Sequence, residues 1–377
     1  MHLTVLLEPF FSRAFVAHLL ASLLPALGPF LMAAVLAVAL VPPAMFAARR
    51  YGVVSVPGGR HLHARITPML GGWAMYLAFA ASVAFFLGVT DWRVVGLLSL
   101  CGLAALLFTY DDKFQMPAWL KLALESGLAL LAIAGFSFNI SFLSLPGGHI
   151  VQLGLLAYPL TLFWLVGMQN TINLLDGVDG LAAGVVGIVA AVLAAAAISK
   201  GNQEEVVLLA AAVAGACAGF LVFNFHPARL FMGDSGSHFL GLALGLLSIV
   251  GVAKVAVGFA LVVPVLALAV PIGDTVWAII RRRRARLSIA HADTRHIHHQ
   301  LLDFGMNQRQ TCLIFYGATG ILGALGLMVF GHKRILSVMV VALVVVLSTV
   351  LGERLQNISR RLPIPGFRRL INKPEVD

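Results

Sequence analysis

Long apolar runs separated by short polar stretches dominate this chain, and they limit it to one broad class of fold. A membrane-spanning helix needs about 20 mostly apolar residues, and eleven runs approach that length. Charged residues make up only 11% of the chain, whereas a soluble domain carries roughly 25%. The sequence therefore predicts an all-α integral membrane protein with about eleven transmembrane helices. The predicted spans are residues 28–46, 70–89, 93–109, 119–137, 153–169, 181–198, 206–223, 238–252, 257–280, 312–331 and 335–352.

Two segments outside these runs have patterns of their own. Residues 1–27 are apolar but interrupted by Glu8, Pro9 and Arg13, and they lack the basic start and cleavage site of a signal peptide. We expect an interfacial segment there, with an additional helix as the alternative. Between residues 138 and 153, apolar and polar residues alternate around a Pro-Gly-Gly turn, which predicts a short extracytoplasmic β-hairpin.

The basic residues are distributed unevenly over the two sides of the predicted helices. Most of the 26 Lys and Arg fall on one side, which includes a loop at 281–311 and a tail at 353–377. Because basic loops stay in the cytoplasm, this side is predicted to be cytoplasmic, with the N-terminus outside and the C-terminus inside. The net charge of +10 is then explained mainly by topology, so no nucleic acid partner is expected. The same basic face would attract the anionic headgroups of the lipid bilayer. We expect one polytopic domain over residues 1–377.

The few carboxylates are concentrated at the borders of predicted spans. Only 16 of the 377 residues are Asp or Glu, yet five Asp fall in three short polar stretches. Charge at a membrane border is unfavourable unless it is paired, solvated or bound to metal, so these residues are candidates for function. An even number of predicted spans separates each stretch from the next, which brings all of them to the cytoplasmic face. The five are Asp111, Asp112, Asp176, Asp179 and Asp234.

Asp111 and Asp112 are adjacent at the end of a predicted span. Neighbouring carboxylates raise each other's pKa unless a cation lies beside them. Mg²⁺ suits such a pair because it prefers oxygen ligands and shares its coordination shell with substrate phosphates. The alternative is a solvated helix end with Lys113 as the counter-ion.

The other two acidic stretches combine carboxylates with small residues. Asn173 and Asp176 lie three apart, on one helical face, and the glycines that follow allow close approach of backbone to a ligand. A nucleobase or sugar could bind there, whereas an ordinary Asn- and Gly-rich turn is the alternative. Asp234 lies in a Gly-Asp-Ser-Gly tetrapeptide that also surrounds the nucleophile of trypsin-like proteases. Because this tetrapeptide is placed between two membrane helices, we expect a metal ligand instead.

Histidines and arginines supply the matching positive charge. His296, His298 and His299 follow an arginine run, a pattern that suits a pyrophosphate and, as the alternative, Zn²⁺. Arg65, before the second predicted span, could hold a lipid phosphate or simply anchor the chain at the membrane surface. Asp274 is expected only to cap a helix or to support other residues.

Taken together, these stretches resemble the polyprenyl-phosphate N-acetylhexosamine-1-phosphate transferase family, glycosyltransferase family 4. Its members move a sugar phosphate from a UDP-sugar to a phosphorylated isoprenoid lipid and release UMP. The resemblance extends from Arg60 to His299 in order and spacing, and it departs at Val54–Gly58, where the family often has Asp-Lys-Pro. The His-Ile-His-His run is similar to the branch that uses UDP-GlcNAc.

The resemblance implies a role for each matched residue. Asp111 and Asp112 would be catalytic, and Asp234 together with Asp112 would bind Mg²⁺, with Mn²⁺ as a substitute. Phe231 would stack on uracil. The full set of substrate-binding residues implied for the two substrates is Asn173, Asp176, Asp179, Asn224, Phe231, His296, His298, His299, Arg65 and Lys121.

For this chain, the resemblance implies UDP-GlcNAc as the donor and undecaprenyl phosphate as the acceptor. The reaction would take place in the bacterial inner (cytoplasmic) membrane and would be the first step in making a lipid-linked envelope glycan. Another UDP-N-acetylhexosamine or UDP-MurNAc-pentapeptide is the alternative donor. A transporter is the alternative class, although transporters usually place charge near the bilayer midplane. The sequence does not decide whether the lipid phosphate attacks the donor directly or whether a covalent aspartyl intermediate forms. It also leaves open which glycan is made downstream and whether the protein is a homodimer.

Overall fold

The fold is known from a computed structural model. It describes residues 13–57, 66–144, 150–198, 203–254, 265, 268–284 and 297–329.

The described residues fold almost entirely into helices. In chain order these are α1 (Arg13–Tyr51), α2 (Gly71–Phe86), α3 (Trp92–Phe114), α4 (Ala118–Phe136), α5 (Ala157–Leu175), α6 (Leu181–Ile198), α7 (Glu204–Asn224), α8 (Gly233–Lys254), α9 (Ala269–Arg284), α10 (Ile297–Asp303) and α11 (Gln308–Val329). Within the described ranges, seven helices are long and apolar enough to cross a membrane, namely α1 and α3 to α8, and α2 is a shorter apolar helix. The chain is therefore an all-α integral membrane protein.

Several predicted boundaries change in the structure. Residues 13–27, predicted to be an interfacial segment, continue α1 without a break. Helix α8 begins at Gly233 rather than at residue 238, so Asp234 lies in its first turn. The predicted span at 335–352 lies outside the described residues, and the one at 257–280 is described only in part.

Two short antiparallel strand pairs lie between helices. Strand β1 (Val54–Ser55) pairs with β2 (Thr67–Pro68) between α1 and α2. Strand β3 (Phe142–Ser144) pairs with β4 (Ile150–Gln152) between α4 and α5, in the segment where alternation predicted a hairpin. The predicted turn at 146–148 lies outside the described residues.

Glycines bring α1 and α7 into close contact. A Cβ atom on Gly215 would lie 2.1 Å from the carbonyl oxygen of Phe30, and one on Gly219 would lie 2.2 Å from that of Ala34. Small residues four apart allow helix backbones to approach where lipid supplies no hydrophobic driving force for association. The α1–α7 pair is therefore packed backbone to backbone.

The polar stretches of the sequence meet at one end of the helix bundle. The start of α2 is joined to the segment before α8 by a hydrogen bond from Gly71 N to Phe231 O of 2.9 Å. The loop before α6 is joined to the end of α7 by a bond from Gly180 N to Asn224 Oδ1 of 3.0 Å. The ends of α3 and α5 and the starts of α4 and α8 meet at the same place, through side chains described next.

Candidate active site

Asp234, in the first turn of α8, is the centre of the polar cluster. Its Oδ2 atom lies 2.7 Å from the ammonium nitrogen of Lys121 on α4. Its Oδ1 atom accepts a hydrogen bond of 2.8 Å from Asn173 Nδ2 on α5, and the same amide donates to Ser237 Oγ at 3.1 Å. Three helices are thus joined through one carboxylate.

The adjacent carboxylates Asp111 and Asp112, in the last turns of α3, have different partners. Asp111 is 2% exposed and pairs with Lys121, while its Oδ1 atom accepts a bond of 2.6 Å from Met116 N. Asp112 accepts hydrogen bonds from Asp234 N at 2.6 Å and from Ser235 N at 3.2 Å. It therefore caps the positive end of α8, where backbone N–H groups lack helical partners.

This capping requires a glycine before Asp234. Gly233 has a φ angle of +72°, and a Cβ atom there would lie 2.6 Å from both carboxylate oxygens of Asp112. Any other residue would be strained in the backbone and would collide with the carboxylate. The glycine of the Gly-Asp-Ser-Gly tetrapeptide thus brings α3 and α8 together.

Lys121, not Lys113, is the counter-ion of this cluster. The ammonium group of Lys113 lies 5.3 Å from the centre of the Phe114 ring on the exposed surface. Lys121 instead reaches both Asp111 and Asp234. The alternative prediction that Lys113 balances the aspartate pair is wrong.

Asp176, directly after α5, adds a further carboxylate to the cluster. Although part of the residue is exposed, burial of its carboxyl group raises the pKa well above the ordinary value, and the charges of Asp234, Asp112 and Asp179 raise it further. Among the described residues, the carboxyl groups of Asp111, Asp112, Asp176 and Asp234 share this end of the bundle with one ammonium group, that of Lys121. A cation bound beside these carboxyl groups would favour their charged form and so lower the raised pKa of Asp176.

Asp179 and Asn224 hold the neighbouring loops together. The Oδ2 atom of Asp179 lies 2.9 Å from His226 Nδ1 and accepts a bond of 3.0 Å from Ala228 N. Asn224 is 2% exposed, and it accepts from Gly180 N and donates to the Leu230 carbonyl at 2.9 Å. In the structure both side chains connect the loop after α5 to the segment between α7 and α8.

The structure describes some of the remaining predicted residues and not others. Phe231 is partly exposed next to α8, and its N–H group donates to the Pro68 carbonyl at 2.9 Å. His298 and His299 lie in α10, whose first N–H group, on Ile297, donates to Asp274 Oδ2 at 3.2 Å. Asp274 therefore has the capping role that was expected of it. Arg65 and His296 lie outside the described residues.

Whether the cluster suits Mg²⁺ depends on which side-chain oxygens can bind the ion. Among the described residues, no group of three or more His, Cys, Asp and Glu side chains forms a ready-made metal cage. Mg²⁺ is usually held by one or two carboxylates together with substrate phosphates, so such a cage is not required. Asp234 with Asp111 or Asp112 supplies suitable oxygens, and among the described residues the carboxyl groups of the cluster outnumber its ammonium groups, which agrees with a divalent cation.

The serine of the tetrapeptide is not a nucleophile. Ser235 is fully buried, and its hydroxyl group donates to the Met232 carbonyl at 3.2 Å. Its N–H group is bonded to Asp112. In the part of the chain that the structure describes, Ser235 therefore has no protease-like arrangement around it.

Sequence reasoning missed two polar residues beneath the cluster, Glu125 and His238. Glu125 lies among the membrane helices and is hydrogen-bonded to both Asn170 and His238. Their spacing could have indicated them, because Glu125 lies four residues after Lys121 and His238 lies four residues after Asp234. Residues four apart share one face of a helix.

The helices and the carboxylate-rich cluster define a polytopic membrane protein with a polar site at one end of its bundle. A family model, described as glycosyl transferase family 4, matches residues 74–252, a range that contains the cluster from Asp111 to His238. The chain is 36% identical over 306 residues to a probable undecaprenyl-phosphate N-acetylglucosaminyl 1-phosphate transferase of Bacillus subtilis, covering 81% of this chain and 85% of that protein. The chain belongs to glycosyl transferase family 4.

Relatives of two kinds are found. The chain is 34% identical over 330 residues to a decaprenyl-phosphate N-acetylglucosaminephosphotransferase of Mycolicibacterium smegmatis, covering 78% of this chain and 80% of that protein. It is 31% identical over 281 residues to a phospho-N-acetylmuramoyl-pentapeptide-transferase of Clostridioides difficile, covering 70% of this chain and 83% of that protein. The names of these relatives all describe the transfer of a phosphorylated amino sugar, and those from Bacillus subtilis and Mycolicibacterium smegmatis also state a polyprenyl phosphate. They differ in the sugar that is named.

Proposed function

We propose that this protein transfers N-acetylglucosamine-1-phosphate from UDP-GlcNAc to undecaprenyl phosphate and releases UMP. In this reaction an oxygen of the lipid phosphate bonds to the sugar-linked phosphorus of the donor. The bond from that phosphorus to UMP breaks, and UMP leaves with the electron pair. The proposal rests mainly on one observation, the convergence of Asp111, Asp112, Lys121 and Asp234 at the ends of membrane helices.

This arrangement suits phosphoryl transfer between a soluble and a membrane-bound substrate. Phosphoryl transfer depends chiefly on positioning and on neutralising the charge of phosphate oxygens. The ammonium group of Lys121 is held between two carboxylates, where it can contact a phosphate without moving far. Because the cluster lies where helices end, it can be reached from the polar phase while the lipid tail stays in the membrane.

A Mg²⁺ ion is part of the proposal. Asp234, with Asp111 or Asp112, would hold it, and when bound it would neutralise phosphate charge during transfer. Asn173 keeps Asp234 oriented through its amide. One of the two adjacent aspartates would position or deprotonate the lipid phosphate.

The other predicted residues would bind the substrates. Asp176, Asp179 and Phe231 would hold the UDP group. The loops carrying them are connected through the buried Asn224, which would support the site without touching substrate. His296, His298 and His299 would contact the sugar-phosphate end of the donor, and Arg65 would contact the lipid phosphate. The cytoplasmic face of a bacterial inner membrane is the location that the basic loops support.

UMP release separates this function from its alternatives. The purified protein is incubated with undecaprenyl phosphate, Mg²⁺ and either UDP-GlcNAc, UDP-GalNAc or UDP-MurNAc-pentapeptide, and UMP and the lipid product are measured. We expect product with UDP-GlcNAc. Product with another donor alone would overturn the assigned sugar, and absence of UMP with all three donors would overturn the transferase proposal.

A pair of matched variants connects the activity to the site. Asp234→Asn removes the charge at the centre of the cluster and should lower kcat by about 10³-fold, in the range seen when charge-stabilising groups are lost. Asp91→Asn makes the same change at the far end of α3, where Asp91 caps the helix through Arg93 N at 2.8 Å. It should leave activity unchanged, because Asn caps a helix as well as Asp does.

A further inference from the structure

One helical turn below the cluster, a second set of side chains joins the same four helices. We call this set the lower layer. It consists of Phe108 on α3, Glu125 on α4, Asn170 on α5 and His238 on α8. A turn of helix takes about 3.6 residues, and each member lies three or four positions from a cluster residue on its own helix. The cluster residues above them are Asp112, Lys121, Asn173 and Asp234.

The members of the lower layer contact one another directly. Glu125 Oε1 lies 3.0 Å from His238 Nε2, and Glu125 Oε2 accepts a bond of 2.5 Å from Asn170 Nδ2. The Phe108 ring stacks on the His238 ring with centroids 3.5 Å apart and planes 9° from parallel. Glu125 is 2% exposed and His238 is 1% exposed, so these polar groups are satisfied almost entirely within the protein.

The lower layer is bonded to the cluster through His238. Its Nδ1 atom lies 2.8 Å from the backbone carbonyl oxygen of Asp234. A carbonyl oxygen only accepts, so Nδ1 carries the proton and donates. The contact between Nε2 and Glu125 then holds one further proton, on the imidazole or on the carboxyl group. The His238 ring has the same orientation in both cases. The ring links Glu125 to Asp234, the residue at the centre of the site.

We propose that the lower layer positions Lys121 and Asp234 for the transfer reaction. Lys121 and Glu125 lie on one face of α4, and Asp234 and His238 lie on one face of α8. The contact of Glu125 with His238 therefore fixes the rotation and height of α4 relative to α8, and with them the separation of the Lys121 ammonium from the Asp234 carboxylate. The claim that this positioning serves catalysis rests on the proposed function.

Apolar side chains in the lower layer would pack but would not set this register. Dispersion contacts are non-directional and tolerate small sliding of helices, whereas hydrogen bonds weaken steeply when they are misaligned. A buried polar layer is unfavourable unless all of its members are paired. In the observed alignment of the four helices, Glu125 is bonded to both Asn170 and His238 and Phe108 stacks on His238. The same alignment places the cluster residues together.

Two substitutions of Glu125 test this role. Glu125→Leu removes both bonds, whereas Glu125→Gln keeps an acceptor for Asn170 and a donor for neutral His238. We expect Glu125→Leu to lower kcat by about 10- to 100-fold with a much smaller change in KM, as supporting residues do in other sites. Glu125→Gln should recover most of the activity. The control for a loss of stability alone is Ser82→Ala on α2. This change removes a buried hydrogen bond of 2.9 Å from Ser82 Oγ to the carbonyl oxygen of Pro29 on α1.

A second measurement reports on Lys121 without depending on activity. Acetylation of Lys121 is followed by mass spectrometry, with the exposed Lys113 as the internal reference. Glu125→Leu should raise relative labelling of Lys121 several-fold, and Glu125→Gln should not. If Glu125→Leu does not fold, Asn170→Ala removes one bond of the layer and should shift both measurements in the same direction.

The outcomes distinguish this inference from the proposed function. A folded Glu125→Leu protein with lower thermal stability but unchanged kcat and unchanged Lys121 labelling overturns the positioning role. If the wild-type protein releases no UMP from any donor while Glu125→Leu still raises Lys121 labelling, the positioning of Lys121 stands and the proposed function fails.

Discussion

Two regions of this bundle solve the problem of helix packing in different ways. Between α1 and α7, glycines bring backbones together, and the contacts involve carbonyl oxygens of Phe30 and Ala34. Among α3, α4, α5 and α8, the contacts are charged and amide side chains in two layers, centred on Asp234 and Glu125. Backbone packing through small residues needs no ionisable group in the membrane. The polar layers place such groups where they are costly unless they are paired.

The difference shows where function restricts the sequence. The α1–α7 contact can be formed by any pair of helices with small residues at the crossing. The polar layers require particular residues on four helices at matching heights, and they hold the carboxylates that the proposed reaction uses. A substitution in the first region should change stability alone, and one in the second should change catalysis.

Among the substitutions that compare these two regions, the largest effect is expected from Lys121→Met. The change removes the ammonium group shared by Asp111 and Asp234, so kcat should fall by about 10²- to 10³-fold through loss of charge stabilisation. UMP release by the purified variant measures this. Lys113→Met, at an exposed position beyond the end of the cluster, is the matched control and should retain activity. Equal losses in both variants would contradict the assignment of Lys121 to the site.

A smaller effect is expected from Gly233→Ala. The new Cβ atom would lie 2.6 Å from both oxygens of Asp112, so the carboxylate must move away from α8. We expect kcat to fall by about 10- to 100-fold, since small displacements of positioned groups have effects of this size.

Gly88→Ala separates backbone strain from displacement of Asp112. Gly88 has a φ angle of +73°, and a Cβ atom there would meet nothing within 4 Å. The strain should cost about 1–2 kcal/mol in either variant, but only Gly233→Ala should lower kcat. A loss of activity in Gly88→Ala would show that strain by itself explains the effect.

The smallest effect on activity is expected from Gly219→Ala. Its Cβ atom would lie 2.2 Å from the Ala34 carbonyl oxygen, and separating α1 from α7 should lower the free energy of unfolding by roughly 1–3 kcal/mol. Thermal unfolding in detergent should show this, while kcat per folded molecule stays at the wild-type value. Gly320→Ala on α11, with nothing within 4 Å of the new atom, should leave kcat unchanged and should not lower the free energy of unfolding, because Ala favours a helix more than Gly does. A fall in kcat for Gly219→Ala would remove the distinction between the two regions.

Sequence patterns predicted much of the helical framework and the presence of a polar site. The apolar runs predicted α3 to α7 closely, and span parity predicted that Asp111, Asp112, Asp176 and Asp234 would lie together. Boundaries were less predictable where a helix begins with polar residues. Helix α8 starts five residues before its apolar run because Asp112 satisfies the N–H groups of Asp234 and Ser235, which lie far from it in the sequence.

The partners of individual residues could not be predicted. Nothing local distinguishes Lys121 from Lys113 as the counter-ion, since the choice depends on the rotation of α4 toward α8. Nothing local indicates that Asn224 connects Gly180 to Leu230, because it stands at a helix end as an ordinary polar residue. The spacing of Glu125 after Lys121 was visible, but its meaning depends on His238 lying on the facing helix.

By itself, the sequence determined that the chain enters a membrane as helices and carries its few carboxylates at helix ends. Both follow from local composition, because the cost of burying charge in lipid acts on each segment separately. Only the tertiary structure decided which carboxylate caps α8, which lysine lies between Asp111 and Asp234, and that a second polar layer lies beneath them. Those outcomes depend on the rotation and height of helices relative to one another, and side chains distant in the sequence set these together.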